Sequence, residues 1–82
     1  RVTRVRVVMA TGCHLCPPVV AAVRAACAER GLVPEVVDID GDLALERRYR
    51  EAIPVVEVDG AEAFRYHATA AEIGAVIDRT SG

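Results

Sequence analysis

Lysine, asparagine, glutamine and tryptophan are absent from these 82 residues, and all ten basic residues are arginine. That bias is consistent with a GC-rich genome and carries no mechanism. Cysteine is scarce: three residues are too few, and odd in number, for the disulfide framework of a small secreted protein. Long apolar runs are missing too, and none approaches the ~20 residues that a membrane-spanning helix needs. Twelve acidic residues against ten arginines give a formal net charge of −2, which leaves no electrostatic footprint for nucleic acid and no basic run for a membrane surface. No repeat, low-complexity tract or linker interrupts the chain, and its length suits one domain over 1–82. The first residues do not read as a secretion signal: Arg1, Arg4 and Arg6 lead into an apolar run of only Val7 to Ala10, shorter than an h-region, and a chain that begins at Arg1 leaves a trimmed leader open. A small cytoplasmic domain, monomeric and independent of membranes and nucleic acid, is the expectation these absences leave.

What is present alternates. Val5 to Ala10 is β-branched and almost continuously apolar, as a strand buried on both faces should be. Thr11 and Gly12 break it. Pro17 to Arg30 then has a helical stripe of Val19, Val20, Val23, Ala26 and Cys27, with Gly31 as its stop. Two consecutive prolines are tolerable there because first-turn N–H groups lack intrahelical partners anyway. Glu35 to Ile39 is a second strand, and Asp42 caps a short charged helix to about Glu51, with Leu43, Leu45 and Tyr49 as its buried candidates. Val55 to Val58 and Glu62 to Tyr66 flank Asp59-Gly60, a hairpin signal because both turn positions want positive φ. Thr69 and Glu72 form a capping box for a last helix with Ile73, Val76 and Ile77 on its apolar face. The order β-α-β-α-β-β-α predicts an α/β fold. Its mixed four-stranded sheet has helices on both faces, parallel crossovers linking the first three strands and an antiparallel final pair.

The chemistry gathers at Gly12-Cys13-His14-Leu15-Cys16, where the buried strand ends and the first helix begins. A thiolate at a helix N-terminus faces unpaired N–H groups and the positive end of the helix dipole, both of which lower its pKa. Cys13 lies just before the first turn and Cys16 three residues on, on the same side and shielded. In that arrangement Cys13 can attack a substrate disulfide and Cys16 can resolve the mixed disulfide. His14, when protonated, adds a positive charge near the thiolate; the plainer reading is an exposed loop residue.

With that motif in register with Ile53-Pro54 just before the hairpin, the sequence from Val5 to about Arg79 resembles the thioredoxin superfamily, and within it the glutaredoxin-like proteins. The resemblance implies a minimal thioredoxin fold, with Pro54 a cis-proline beside the cysteines and Ile53 offering backbone groups to a substrate chain. Gly12 stands where thioredoxins typically have Trp, and Val7, Val8 and Met9 replace their buried acid, which favours the glutaredoxin branch. Tyr66-His67-Ala68-Thr69 stands where glutaredoxins usually carry a Gly-Gly and an Asp for the γ-glutamyl end of glutathione, and Leu15 replaces their usual Tyr. Thr69 can still offer backbone N–H to an anion.

Thiol–disulfide exchange is thus the expected activity, with Cys13 and Cys16 catalytic and Ile53, Pro54, His14, Thr69 and Arg48 contacting substrate. The substrate would be a disulfide-bearing protein or a small thiol. No cofactor would be built in; glutathione or another low-molecular-weight thiol, or a reductase, would supply reducing equivalents. Arg47, Arg48 and Arg50 are either a solvated helix face or a dock for a substrate carboxylate, for which the planar guanidinium fork is suited. Cys27 reads as a small core residue about 16 Å along the helix from Cys16, too far to pair with it. His67 reads as a bystander. Zinc would want four ligands, usually as two pairs, so no metal is expected. Two other readings stay open: a thioredoxin-fold binding module without turnover, and a metal or cluster carrier.

Overall fold

The computed structural model describes residues 3–81; Arg1, Val2 and Gly82, which the one-domain reading also covers, lie outside the described residues. The elements run β1 (Val5–Met9), α1 (Cys16–Ala28), β2 (Glu35–Asp38), α2 (Leu43–Tyr49), β3 (Val55–Val58), β4 (Ala61–Arg65) and α3 (Ala70–Ser81). They form one mixed sheet in the order β2-β1-β3-β4, the minimal thioredoxin arrangement. β1 pairs parallel with β2, Val7 opposite Val36, while β3 and β4 form the antiparallel hairpin.

One expectation about direction is corrected. β3 runs antiparallel to β1, with Val7 opposite Val56 and Val8 opposite Val55, so only β1 and β2 are joined by a parallel crossover. A helix of seven residues rises only about 10 Å, and the segment from Ile39 to Pro54 leaves and re-enters the sheet at the same end. The chain therefore returns in the opposite direction.

Neighbouring residues of the two central strands point to opposite faces, which splits the core. Val5, Val7 and Val56 pack with Val19, Val23, Ala26 and Cys27 of α1 and Ile73 and Ile77 of α3. Across the sheet, Val8 and Val55 pack with Ile39 and Tyr49, and Leu45 and Ile53 close against them. Helices thus cover both faces, two on one side and α2 on the other. Leu43, expected inside, is 70% exposed: two positions before Leu45 on a helix, it falls about 200° around the axis from it.

The α2 face also holds a polar group. The Tyr49 hydroxyl donates to Glu57 Oε2 at 2.9 Å, and Glu57 Oε1 lies 3.4 Å from the otherwise unbonded Arg6 Nε. Burial, reinforced by the Glu57 carboxylate, pushes the Tyr49 phenol up from its ordinary value.

The local stops are those the sequence signals. Asp42 Oδ1 accepts from the Leu45 N–H at 3.1 Å. Past α1, the Leu32 and Gly31 N–H groups donate to the Cys27 and Ala28 carbonyls with Gly31 at φ +67, a Schellman closure. Asp59 (φ +52) and Gly60 (φ +83) make the hairpin turn. Thr69 and Glu72 exchange bonds, Thr69 N–H to Glu72 Oε1 at 2.9 Å and Glu72 N–H to Thr69 Oγ1 at 3.1 Å.

Gly74 marks where α1 and α3 meet. The Arg30 guanidinium lies across it, donating to both Asp78 oxygens and to the Ala26 carbonyl, and a Cβ on residue 74 would fall 2.8 Å from Arg30 Cζ. Because that obstacle is the mobile end of a side chain, it can swing away, at the expense of its pair with Asp78. Gly74→Ala should therefore be near neutral in the native chain, the gain in helix propensity offsetting the lost pair. In an Asp78→Ala background, where the Asp78 pair is already gone and only the bonds of Arg30 to Glu29 and the Ala26 carbonyl remain, the same change should stabilise by up to about 1 kcal/mol. Denaturant midpoints of the four-member cycle test this; an equal effect in both backgrounds contradicts it.

Candidate active site

β1 delivers the chain to the motif. Its last residues lead through Ala10 into a tight loop in which the Cys13 N–H donates to the Ala10 carbonyl at 3.2 Å and the Cys16 N–H to the Cys13 carbonyl at 3.3 Å. Gly12 takes φ +85, a conformation that disfavours any side chain there. Thr11 ties the loop to the end of β2: its hydroxyl donates to Asp38 Oδ2 at 2.9 Å and its N–H to Asp40 Oδ2 at 3.0 Å. The Asp40 N–H in turn donates to Asp38 Oδ1 at 2.9 Å. That N–H first, and the Thr11 hydroxyl second, hold the Asp38 carboxyl below its usual range.

Cys13 and Cys16 are paired as a disulfide, with Cα atoms 5.4 Å apart. Their surroundings differ. Cys16 is fully buried at the start of α1, whereas Cys13 is half-buried and lines an open groove. Cys27, the remaining cysteine, is free and buried; burial pushes its thiol up, only partly opposed by Arg30. It belongs to the core and not to the site.

The helix start departs from expectation in one respect. Pro17 and Pro18 carry no N–H, and the Cys16 N–H is committed to the Cys13 carbonyl, so the first turn itself offers no donor to a Cys13 thiolate. Among the described residues, the loop N–H groups of His14 and Leu15 have no protein acceptor. Those are the donors left to answer an anion here. His14 is exposed beside them, as is Leu15 at 55%.

Ile53-Pro54 is a cis peptide, and Pro54 is fully buried immediately before Val55, the partner of Val8. The pairing therefore puts Ile53 and Pro54 at the sheet end from which the cysteine loop emerges, and Ile53 and Ala10 pack against the same core cluster. The Pro54 carbonyl accepts from the Tyr66 N–H at 2.8 Å. Among the described residues, the backbone groups of Ile53 have no partner.

Two further candidate residues have surroundings of their own. The Thr69 N–H is occupied by the Glu72 carboxylate, which Thr69 holds below its ordinary range. That donor is therefore already in use, with a carboxylate beside it. Arg48 lines a separate groove of about 390 Å³ with Arg47, Arg50 and Arg65, closed by Tyr66, whose hydroxyl donates to the Glu51 carbonyl at 2.7 Å. Neither cysteine lines that groove. The contribution of Arg65 to it escaped sequence reading, since only the fold brings the end of β4 against α2. Among the described residues, no group of three or more His, Cys, Asp or Glu side chains could hold a metal ion, and no helix is long and apolar enough to cross a membrane.

A glutaredoxin-like domain model (DUF836) matches residues 5–78. The fold is similar to the crystal structure of target protein XcR50 from X. campestris, with TM-score 0.74 and 28% identity over 92% of this chain and 96% of that one. It is also similar to the solution structure of protein Ne2328 from Nitrosomonas europaea, with TM-score 0.72 and 29% identity over 93% of this chain and 92% of that one. No curated protein matches the chain.

The Thr11–Asp38 clamp makes the loop sensitive to acid. A carboxyl held low in the folded state stabilises fully above its unfolded value, near 3.9, and loses that contribution as the pH falls through the folded value. Asp38→Asn should therefore lower the melting temperature at pH 7, and the gap from the native chain should shrink below about pH 4. A gap equal at pH 7 and pH 3 would show that the ionised carboxylate does not anchor the loop.

Proposed function

The chain belongs to the glutaredoxin-like domain family, and from that membership we propose that it is a dithiol–disulfide oxidoreductase. The observation that carries the proposal is the asymmetry of the cysteine pair: one sulfur at the surface of a groove, the other fully buried behind it, with their Cα atoms 5.4 Å apart. In the reduced protein the Cys13 thiolate attacks one sulfur of a substrate disulfide. A Cys13–substrate disulfide forms and the second substrate sulfur leaves as a thiolate. Cys16 then loses its proton and attacks Cys13 Sγ, releasing the first substrate sulfur and closing the Cys13–Cys16 disulfide. A low-molecular-weight thiol or a reductase resets the pair by the reverse exchange.

The remaining residues take supporting parts. The unpartnered backbone of Ile53 is suited to hold an extended substrate chain across the cysteines, with Pro54 setting its position. His14 contributes its exposed loop N–H and, when protonated, positive charge. Glutathione as the reductant lacks one anchor, because Glu72 fills the Thr69 position where a γ-glutamyl carboxylate would need a donor. The arginine groove favours a second reading, a module that binds an anionic partner without redox turnover; there Arg48 would act with Arg47, Arg50 and Arg65 and both cysteines would be dispensable.

Trapping separates the two. Cys16→Ser, mixed with a disulfide-bearing protein, should accumulate one mixed disulfide per chain through Cys13, visible by non-reducing gel and mass spectrometry, and Cys13→Ser should accumulate none. No adduct with Cys16→Ser, or equal adducts with both variants, contradicts the division of labour.

A further inference from the structure

The groove at Cys13 is bordered by α1, and Ile53 is not among its lining residues. It is an open channel of about 420 Å³ lined by Met9, Ala10, Cys13, Pro17, Val20 and Ala21, with Arg24 among its lining residues. The α1 contribution repeats at helical spacing, so Pro17, Val20, Ala21 and Arg24 form a single stripe leading from the cysteine toward the guanidinium. The floor is apolar, and the ends differ in charge. At the Cys13 end Thr11 is bonded to two carboxylates, Asp38 and Asp40. Down the stripe, Arg24 is exposed and has no acidic partner among the described residues.

We propose that this channel selects the substrate of the exchange reaction, and that its occupant is an extended peptide segment of a disulfide-bearing protein, with apolar residues next to the reacting cysteine and an acidic residue three or four positions away. This rests on the oxidoreductase reading and adds the substrate class. Orientation follows from charge: an acidic residue is repelled at the Asp38–Asp40 end and paired at Arg24. Spacing follows from geometry, since Pro17 to Arg24 spans about 10 Å of helix and an extended chain covers that in about three residues. The cysteine sulfur reaches Cys13 while the following side chains lie on Pro17, Val20 and Ala21.

The test uses peptides carrying their cysteine as a mixed disulfide with thionitrobenzoate. Attack of Cys13 on the peptide sulfur releases the coloured thionitrobenzoate thiolate and leaves a Cys13–peptide disulfide, which Cys16 then resolves. Cys-Leu-Val-Ala-Glu should release colour about fivefold faster than its lysine-ended counterpart, a ratio set by one exposed ion pair, and faster than Cys-Ser-Gly-Ser-Glu. Arg24→Glu should invert the preference between acid and lysine. Independently of exchange, Ser-Leu-Val-Ala-Glu titrated into the reduced protein should shift the amide resonances of Met9, Val20, Ala21 and Arg24. Equal rates for all peptides, or no shift at those amides, overturns the channel proposal while exchange stands. Shifts at those amides with no colour released from any peptide leave the channel standing and overturn the oxidoreductase reading instead.

Discussion

The antiparallel pairing of β1 with β3 is the constraint on which the rest of the molecule depends. Val7, Val8, Val55 and Val56 are all fully buried at the centre of the sheet. Burial of each contributes about 1.5–3 kcal/mol, a large share for so small a domain. Val7 and Val56 organise the α1–α3 layer, and Val8 and Val55 the α2 layer. The same register decides the geometry of the site. Because Val8 faces Val55, the loop that leaves β1 and the Ile53-Pro54 turn that enters β3 emerge at one end of the sheet. Parallel strands would have put them at opposite ends.

That dependence explains which parts of the fold were legible in the sequence. Signals confined to a few residues were read directly: the Asp59-Gly60 turn, the Thr69–Glu72 box, the Gly31 stop and the Asp42 cap each rest on short-range hydrogen bonds or backbone angles. The direction of β3 was not legible, because it depends on where a strand docks and not on its own pattern. Leu43 misled for a similar reason, an apolar residue at a helix start that faces solvent. The Tyr49–Glu57–Arg6 group joins three elements, and nothing local marks Glu57 in a run of valines as a buried acceptor.

The site divides in the same way. The cysteine pair and its strand–helix setting were visible as a motif, and the Ile53-Pro54 cis bond through family resemblance. The electrostatics around the sulfur were not. The consecutive prolines that open α1 removed the donors a helix start ordinarily presents and left the task to the loop N–H groups of His14 and Leu15. Thr69, a good candidate by type, turned out to spend its N–H on Glu72. Arg48 proved to be part of a groove completed by Arg65, apart from the sulfurs. Motif spacing locates the nucleophile; the long-range packing decides which neighbours address it.

The measurement that bears most directly on the central claim is a redox titration of the native chain. The protein is equilibrated over a series of defined thiol/disulfide potentials, alkylated, and its free thiols are located by mass spectrometry. Two thiols should be lost reversibly and together, at Cys13 and Cys16, with a midpoint between about −120 and −270 mV and Cys27 untouched. Failure to form that intramolecular disulfide at any potential would contradict dithiol exchange and turn attention to the arginine groove as the working surface.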